Sequence, residues 1–97
     1  SYPVDFPYWV EAVITPYGWA DTESVRAAAE AAVTAFCATK AQRLGQDVTR
    51  SALIAALHVP GVKRVALAHP AADIAADVHH WTHAVSITVS AAEPEDD

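Results

Sequence analysis

Apolar and polar positions alternate at both ends of this chain and switch to a helical period in between. In residues 8–15 (YWVEAVIT), Val10, Ala12 and Ile14 share one side of an extended chain, opposite Trp9, Glu11, Val13 and Thr15. That is the pattern of a half-buried strand. Pro16, Tyr17 and Gly18 follow with turn chemistry. Asp21 then stands as an N-cap, with Glu23 and Ser24 in the first turn, where a carboxylate suits the helix dipole. Val25, Ala29, Ala32, Val33, Phe36 and the aliphatic stem of Lys40 recur at helical spacing. They predict a helix of about 23 residues that reaches Leu44 and is stopped by Gly45. Thr49 caps a second, shorter helix with Leu53, Ile54 and Leu57 as its apolar stripe, closed by Pro60 and Gly61. Residues 62–67 read as a strand, with Val62 at its start and Val65 and Leu67 inward. Residues 83–90 read as another, with Val85, Ile87 and Val89 alternating against Ala84, Ser86, Thr88 and Ser90. The opening SYPVDFP reads as an extended lead-in and residues 69–82 as a long turn.

The order β-α-α-β-β predicts an α+β domain, a small, mainly antiparallel three-stranded sheet with one long and one short helix on one face. Residues 1–92 are expected to form that single domain, and residues 93–97 (EPEDD) an acidic, disordered tail. Such a sheet has open edges that a partner can extend by adding a strand.

Composition narrows the classes. The chain has 97 residues, 53% hydrophobic and 19% charged, which excludes intrinsic disorder for most of it and leaves room for one core. No apolar run approaches a membrane-spanning length. The net charge is −6, but four of the acids lie in the last five residues and the body carries only −2. General attraction to nucleic acid or anionic lipid is therefore not expected. A single cysteine, Cys37, fits a reducing compartment. The absence of any methionine suggests a piece of a longer parent.

Little in the chain carries chemistry. His79, His80 and His83 fall within five residues, but neighbouring positions on an extended chain point to opposite sides, so no metal site is expected there. Cys37 lies deep in the long helix beside Phe36, without the helix N-terminus or basic partner that a reactive thiolate needs. No nucleophile elbow, phosphate loop, dinucleotide fingerprint or zinc-protease motif is present, and no cofactor is implied. The chain does not read as an enzyme. The alternative is a winged-helix DNA-binding domain, because five of the six basic residues (Lys40, Arg43, Arg50, Lys63, Arg64) lie between positions 40 and 64. Its would-be recognition helix, however, offers base edges only Arg50. Tyr8, Trp9, Tyr17, Trp19 and Trp81 are many aromatics for so small a core. Any that are exposed are candidate interface anchors.

Residues 44–74 (LGQDVTRSALIAALHVPGVKRVALAHPAADI) resemble the C-terminal region of the baseplate J-like proteins of contractile-tailed bacteriophages. The shared features are a Leu-Gly turn, a short helix, a Val-Pro-Gly-Val turn, a Val-rich strand and a Pro-Ala-Ala-Asp segment, with the upstream strand and alanine-rich helix in matching register. The resemblance extends over residues 8–90. It implies a structural domain of a P2-like or Mu-like tail baseplate, assembled with other wedge and tail proteins in the bacterial host cytoplasm and located in the virion tail. It also implies structural roles for particular residues. Gly45 stops the long helix; Leu53, Ile54 and Leu57 pack the short one; Pro60 and Gly61 set the turn into the strand carrying Val62 and Val65. Neither nucleic acid nor membrane is implied as a partner. Residues 78–83 and the acidic tail depart from the family pattern.

Overall fold

The computed structural model describes residues 4–76 and 80–96. Five elements follow one another: strand β1 (Val4–Pro16), helix α1 (Thr22–Ala41), helix α2 (Arg50–Leu57), strand β2 (Val62–His69) and strand β3 (His80–Ala91). The predicted order and fold class hold. The strands form one sheet in the order β2-β1-β3. β1 is antiparallel to β2, as expected, but parallel to β3. The sheet is therefore mixed, because the chain leaving β2 must pass the N-terminal end of β1 to start β3 on the far edge.

β1 begins earlier than its alternation predicts. Residues 4–7 are strand because they pair with residues 80–83 of β3, a tertiary contact that the proline-containing sequence does not advertise. Only residues 11–16 of β1 also pair with β2. This partial overlap makes the molecule long, 52 × 20 × 17 Å.

α1 starts where its cap predicts. Asp21 accepts hydrogen bonds from Ser24 N at 3.0 Å and Ser24 Oγ at 2.7 Å. It ends three residues before Leu44. Gln42 N and Arg43 N turn back to the carbonyls of Thr39 and Lys40, and Gly45, at φ 76°, sends its N–H to the His80 carbonyl at 3.0 Å. The pull of β3 on this turn thus ends the helix early. α2 is capped by Thr49, whose Oγ1 accepts from Ala52 N at 3.2 Å.

The core lies between the helices and one face of the sheet. Tyr8, Val10, Ala12 and Ile14 of β1 meet Val25, Ala29, Val33 and Cys37 of α1, with Leu53 and Leu57 from α2 and Val62, Leu67 and Val89 from the outer strands. Leu53 and Leu57 are fully buried, and each contributes about 1.5–3 kcal/mol of transfer free energy. Ile54 and Val65 are half-buried against this cluster. Below β1, Val48 and Ile74 exchange backbone hydrogen bonds at 2.9 and 2.8 Å and are themselves buried. The α1–α2 linker and the segment after β2 therefore close the lower end of the core together.

Two further expectations are corrected. Val85 was placed inward with Ile87 and Val89, but it is 59% exposed. Tyr8 pairs with Ala84 and Trp9 with Ser86, so Val85 is the extra residue of a bulge that reverses the inward parity. Residues 93–96, expected as a disordered tail, lie along the end of β1. Glu95 N donates to the Pro16 carbonyl at 2.9 Å, Gly18 N donates to the Glu95 carbonyl at 3.0 Å, and Ala92 N donates to the Ile14 carbonyl at 2.8 Å.

Candidate assembly surface

The turn glycines Gly45 and Gly61 both adopt positive φ. Gly61 has φ 96°, and its carbonyl accepts from Tyr17 N at 2.9 Å, which ties the α2–β2 turn to the end of β1. Pro60 beside it is exposed, while Gly61 and Val62 are buried. The five aromatics separate into two groups. Tyr8 is only 5% exposed and leaves the candidate interface, because the even positions of β1 face the helices. Trp9 points to the opposite, uncovered face of the sheet, 46% exposed, with its ring 4.6 Å from that of His69. Trp81 is half-buried. Tyr17 and Trp19 stack nearly parallel at 5.7 Å, and Trp19 is 74% exposed. A concavity of about 400 Å³ opens beside this pair, lined by Trp19, Ala20, Asp21, Val25, Pro60 and Gly61 among others.

The acidic segment borders the same end of the molecule. Arg64 Nε reaches Glu95 Oε1 at 3.0 Å, Lys63 Nζ lies 3.5 Å from the same oxygen, and Lys63 donates to the Asp96 carbonyl at 2.6 Å. The Arg64 hydrogen bond, helped by the Lys63 charge, holds the Glu95 carboxyl below the ordinary glutamate range. On α1, Arg26 bridges Glu23 at 2.8 Å and Glu30 at 3.1 Å, and it also donates to the Val89 carbonyl at 3.1 Å. Three of the six basic side chains are thus engaged at this end.

Arg50 is engaged at the other end. Its guanidinium donates to the carbonyls of Pro70 and Leu67 (2.9 Å for Leu67), and its N–H donates to Asp73 Oδ1 at 2.7 Å. It staples the start of α2 to the segment after β2, so the short helix presents no free basic side chain. β2 and β3 also flank β1 instead of pairing with each other as a wing.

Among the described residues, the buried polar groups are not gathered into a reactive centre. Burial pushes the Cys37 thiol above its ordinary value, and the Tyr8 phenol, buried beside it, is raised further. Both stay neutral near pH 7. Tyr8 OH and Thr82 Oγ1 have no conventional hydrogen-bond partner among the described residues. His80 meets the Phe6 ring edge-on at 5.8 Å, whereas His83 is exposed. His79 lies outside the described residues.

A family model for the baseplate J-like protein C-terminal domain matches residues 8–90. The chain belongs to this family. Baseplate protein J of Escherichia phage P2 is 46% identical to it over 67 residues. Those residues are 69% of this chain and 22% of that relative, so the chain spans only about a fifth of the relative's length. The match begins four residues into β1, takes in α1, α2 and β2 whole and ends one residue before the close of β3, which leaves the acidic segment outside the family pattern. The signals that sequence reasoning missed are the strap formed by residues 93–96 and the use of Arg50 as a staple. The only sign of the first was the surplus of acids facing the basic pair Lys63–Arg64.

Proposed function

We propose that this chain is a non-enzymatic assembly domain of a phage or prophage tail baseplate. In this reading it is the C-terminal domain of a longer wedge protein, sits in the virion tail and is assembled in the host cytoplasm. Its partners are other baseplate and tail proteins. The carrying observation is that a domain of a baseplate family presents a 74% exposed tryptophan, stacked on Tyr17, beside an apolar concavity. Trp and Tyr dominate interface hot spots because they bury large areas at little entropic cost. The engagement of Arg50, Lys63, Arg64 and Arg26 in internal contacts argues for protein contacts over phosphate contacts.

The test is affinity purification of the tagged, full-length parent from its native cell, as wild type and as Trp19→Ala. Recovery of baseplate proteins with the wild type, and loss of about tenfold or more with an unchanged Tm in the variant, is the expected result. Recovery of nuclease-sensitive DNA without tail proteins would overturn the assembly reading. Wild-type recovery by the variant would remove Trp19 from the contact surface.

A further inference from the structure

β3 is an edge strand whose outer side is closed at both ends and open between them. At the lower end Gly45 N donates to the His80 carbonyl at 3.0 Å, and at the upper end Arg26 Nη1 donates to the Val89 carbonyl at 3.1 Å. Among the described residues, no group outside the sheet bonds the β3 backbone between Trp81 and Thr88. The side chains of that window give no edge protection, there being no proline, lysine or acidic residue, and the bulge at Val85 is the one irregularity in its edge. β2, the opposite edge, is shorter and bears Lys63 and Arg64.

Against the open window lies a groove of about 320 Å³. It is lined by Thr34, Cys37, Ala38 and Ala41 of α1 and by Ala84 and Ile87 of β3, with His83 completing it. No residue of β1 or α2 lines it, so it faces away from the sheet's interior. Thr34 and Ala38 are exposed, whereas Ala32 and Phe36 on the opposite flank of α1 are half-buried. We propose that the 82–87 window of β3 receives an extended segment of a different baseplate protein as a fourth strand, whose alternate small or medium apolar side chains fill the groove under α1. The inference rests on the assembly reading and names the edge and partner chemistry within it.

Three features select this occupant. Unpaired backbone groups on an edge strand are matched by another extended backbone. The groove is lined by no Asp, Glu, Lys or Arg, so the inserted side chains are uncharged. A second copy of this chain is excluded by geometry. α1 packs chiefly over β3, and pairing two β3 strands at about 4.8 Å would force two α1 helices inside the 8–10 Å that packed helices require. The footprint, about 20 Å of strand by about 10 Å of depth, is roughly a quarter of what each partner buries in a free-standing complex. The incoming strand must therefore be held locally by other contacts of the assembly, which raise its effective concentration.

The probes are short peptides tiling the other tail proteins encoded with the parent, offered to the full chain at millimolar concentration to match that of a tethered strand, and binding is followed by amide exchange. Expected is binding by a peptide with alternating apolar residues, with new protection confined to amides 82–87. Thr34→Trp and Ala38→Trp, at exposed positions that leave the Tm unchanged, fill the groove and weaken binding by about tenfold or more. Failure of every peptide to bind, protection elsewhere, wild-type affinity in both filled variants, or self-association protecting the same amides would each overturn the proposal. Co-assembly with baseplate proteins that persists in both variants overturns the strand proposal alone. Absence of co-assembly by the wild type overturns the assembly reading and the strand proposal with it.

Discussion

Replacing Gly61 tests the turn on which the register of the sheet depends. At φ 96° an L side chain is strained, by about 1–3 kcal/mol. A Cβ built there lies 2.8 Å from Val25 Cγ2 and 3.3 Å from Ala20 Cβ. Val25 is a buried, β-branched helix residue with one favoured rotamer, so it cannot swing aside and the backbone must move. Overlap of this kind adds about 1–3 kcal/mol. Gly61→Val is thus expected to cost about 2–6 kcal/mol, a Tm loss of at least about 10 °C for a domain of this size. Thermal unfolding followed by circular dichroism reads the loss directly. Removing the obstacle separates the two causes. In a Gly61→Ala background, Val25→Ala should recover about 1 kcal/mol relative to additivity, and the φ strain should remain. A Tm loss under about 4 °C for Gly61→Val would refute both the positive φ and the close approach.

Two other perturbations address the ends of the molecule. Arg50→Ala removes hydrogen bonds to the part-buried carbonyls of Pro70 and Leu67 and should destabilise the domain by about 1–3 kcal/mol in urea unfolding. Arg50→Lys should not restore this, because a single ammonium nitrogen lacks the two fixed, coplanar nitrogens that each reach one carbonyl, and a wild-type midpoint for either variant would deny the staple. Acid should loosen the opposite end. Glu95, Glu23 and Asp21 are held below their ordinary values by hydrogen bonds from Arg64, from Arg26 and from Ser24 respectively. Their stabilisation is complete above the ordinary carboxylate range and is lost as pH falls through the lowered folded values, below about pH 4. Amide exchange at Gly18 and Glu95, corrected for intrinsic pH dependence, should accelerate there before the core amides do. Simultaneous acceleration everywhere would contradict a separately anchored strap.

What the sequence made legible was local. Asp21 and Thr49 are caps because their side chains reach amides three residues on, a contact that needs no tertiary structure. The even positions of β1 are inward because the pleat repeats every two residues. The misread features all depend on partners far along the chain. Residues 4–7 become strand through 80–83, Gly45 ends its turn on His80, and Glu95 closes onto Pro16 and Arg64. Val85 shows the limit most sharply. Its alternation with Ile87 and Val89 is perfect in the sequence, and only the offset between Tyr8–Ala84 and Trp9–Ser86 turns it outward.

That offset also explains why the two edges of the sheet differ. In a regular ladder Ala84 and Ile87 would face opposite sides of β3, and no continuous groove would run beneath α1. The single extra residue brings both to the α1 side, and α1 meets them with Ala38 and Ala41, side chains too small to fill the space. Larger residues at those positions would close the groove at little cost to helix propensity, since leucine and methionine follow alanine closely on that scale. The alanines are therefore not required by the helix itself. Their effect is on packing, where they leave room between α1 and β3 beside a backbone edge that nothing else in the described chain covers.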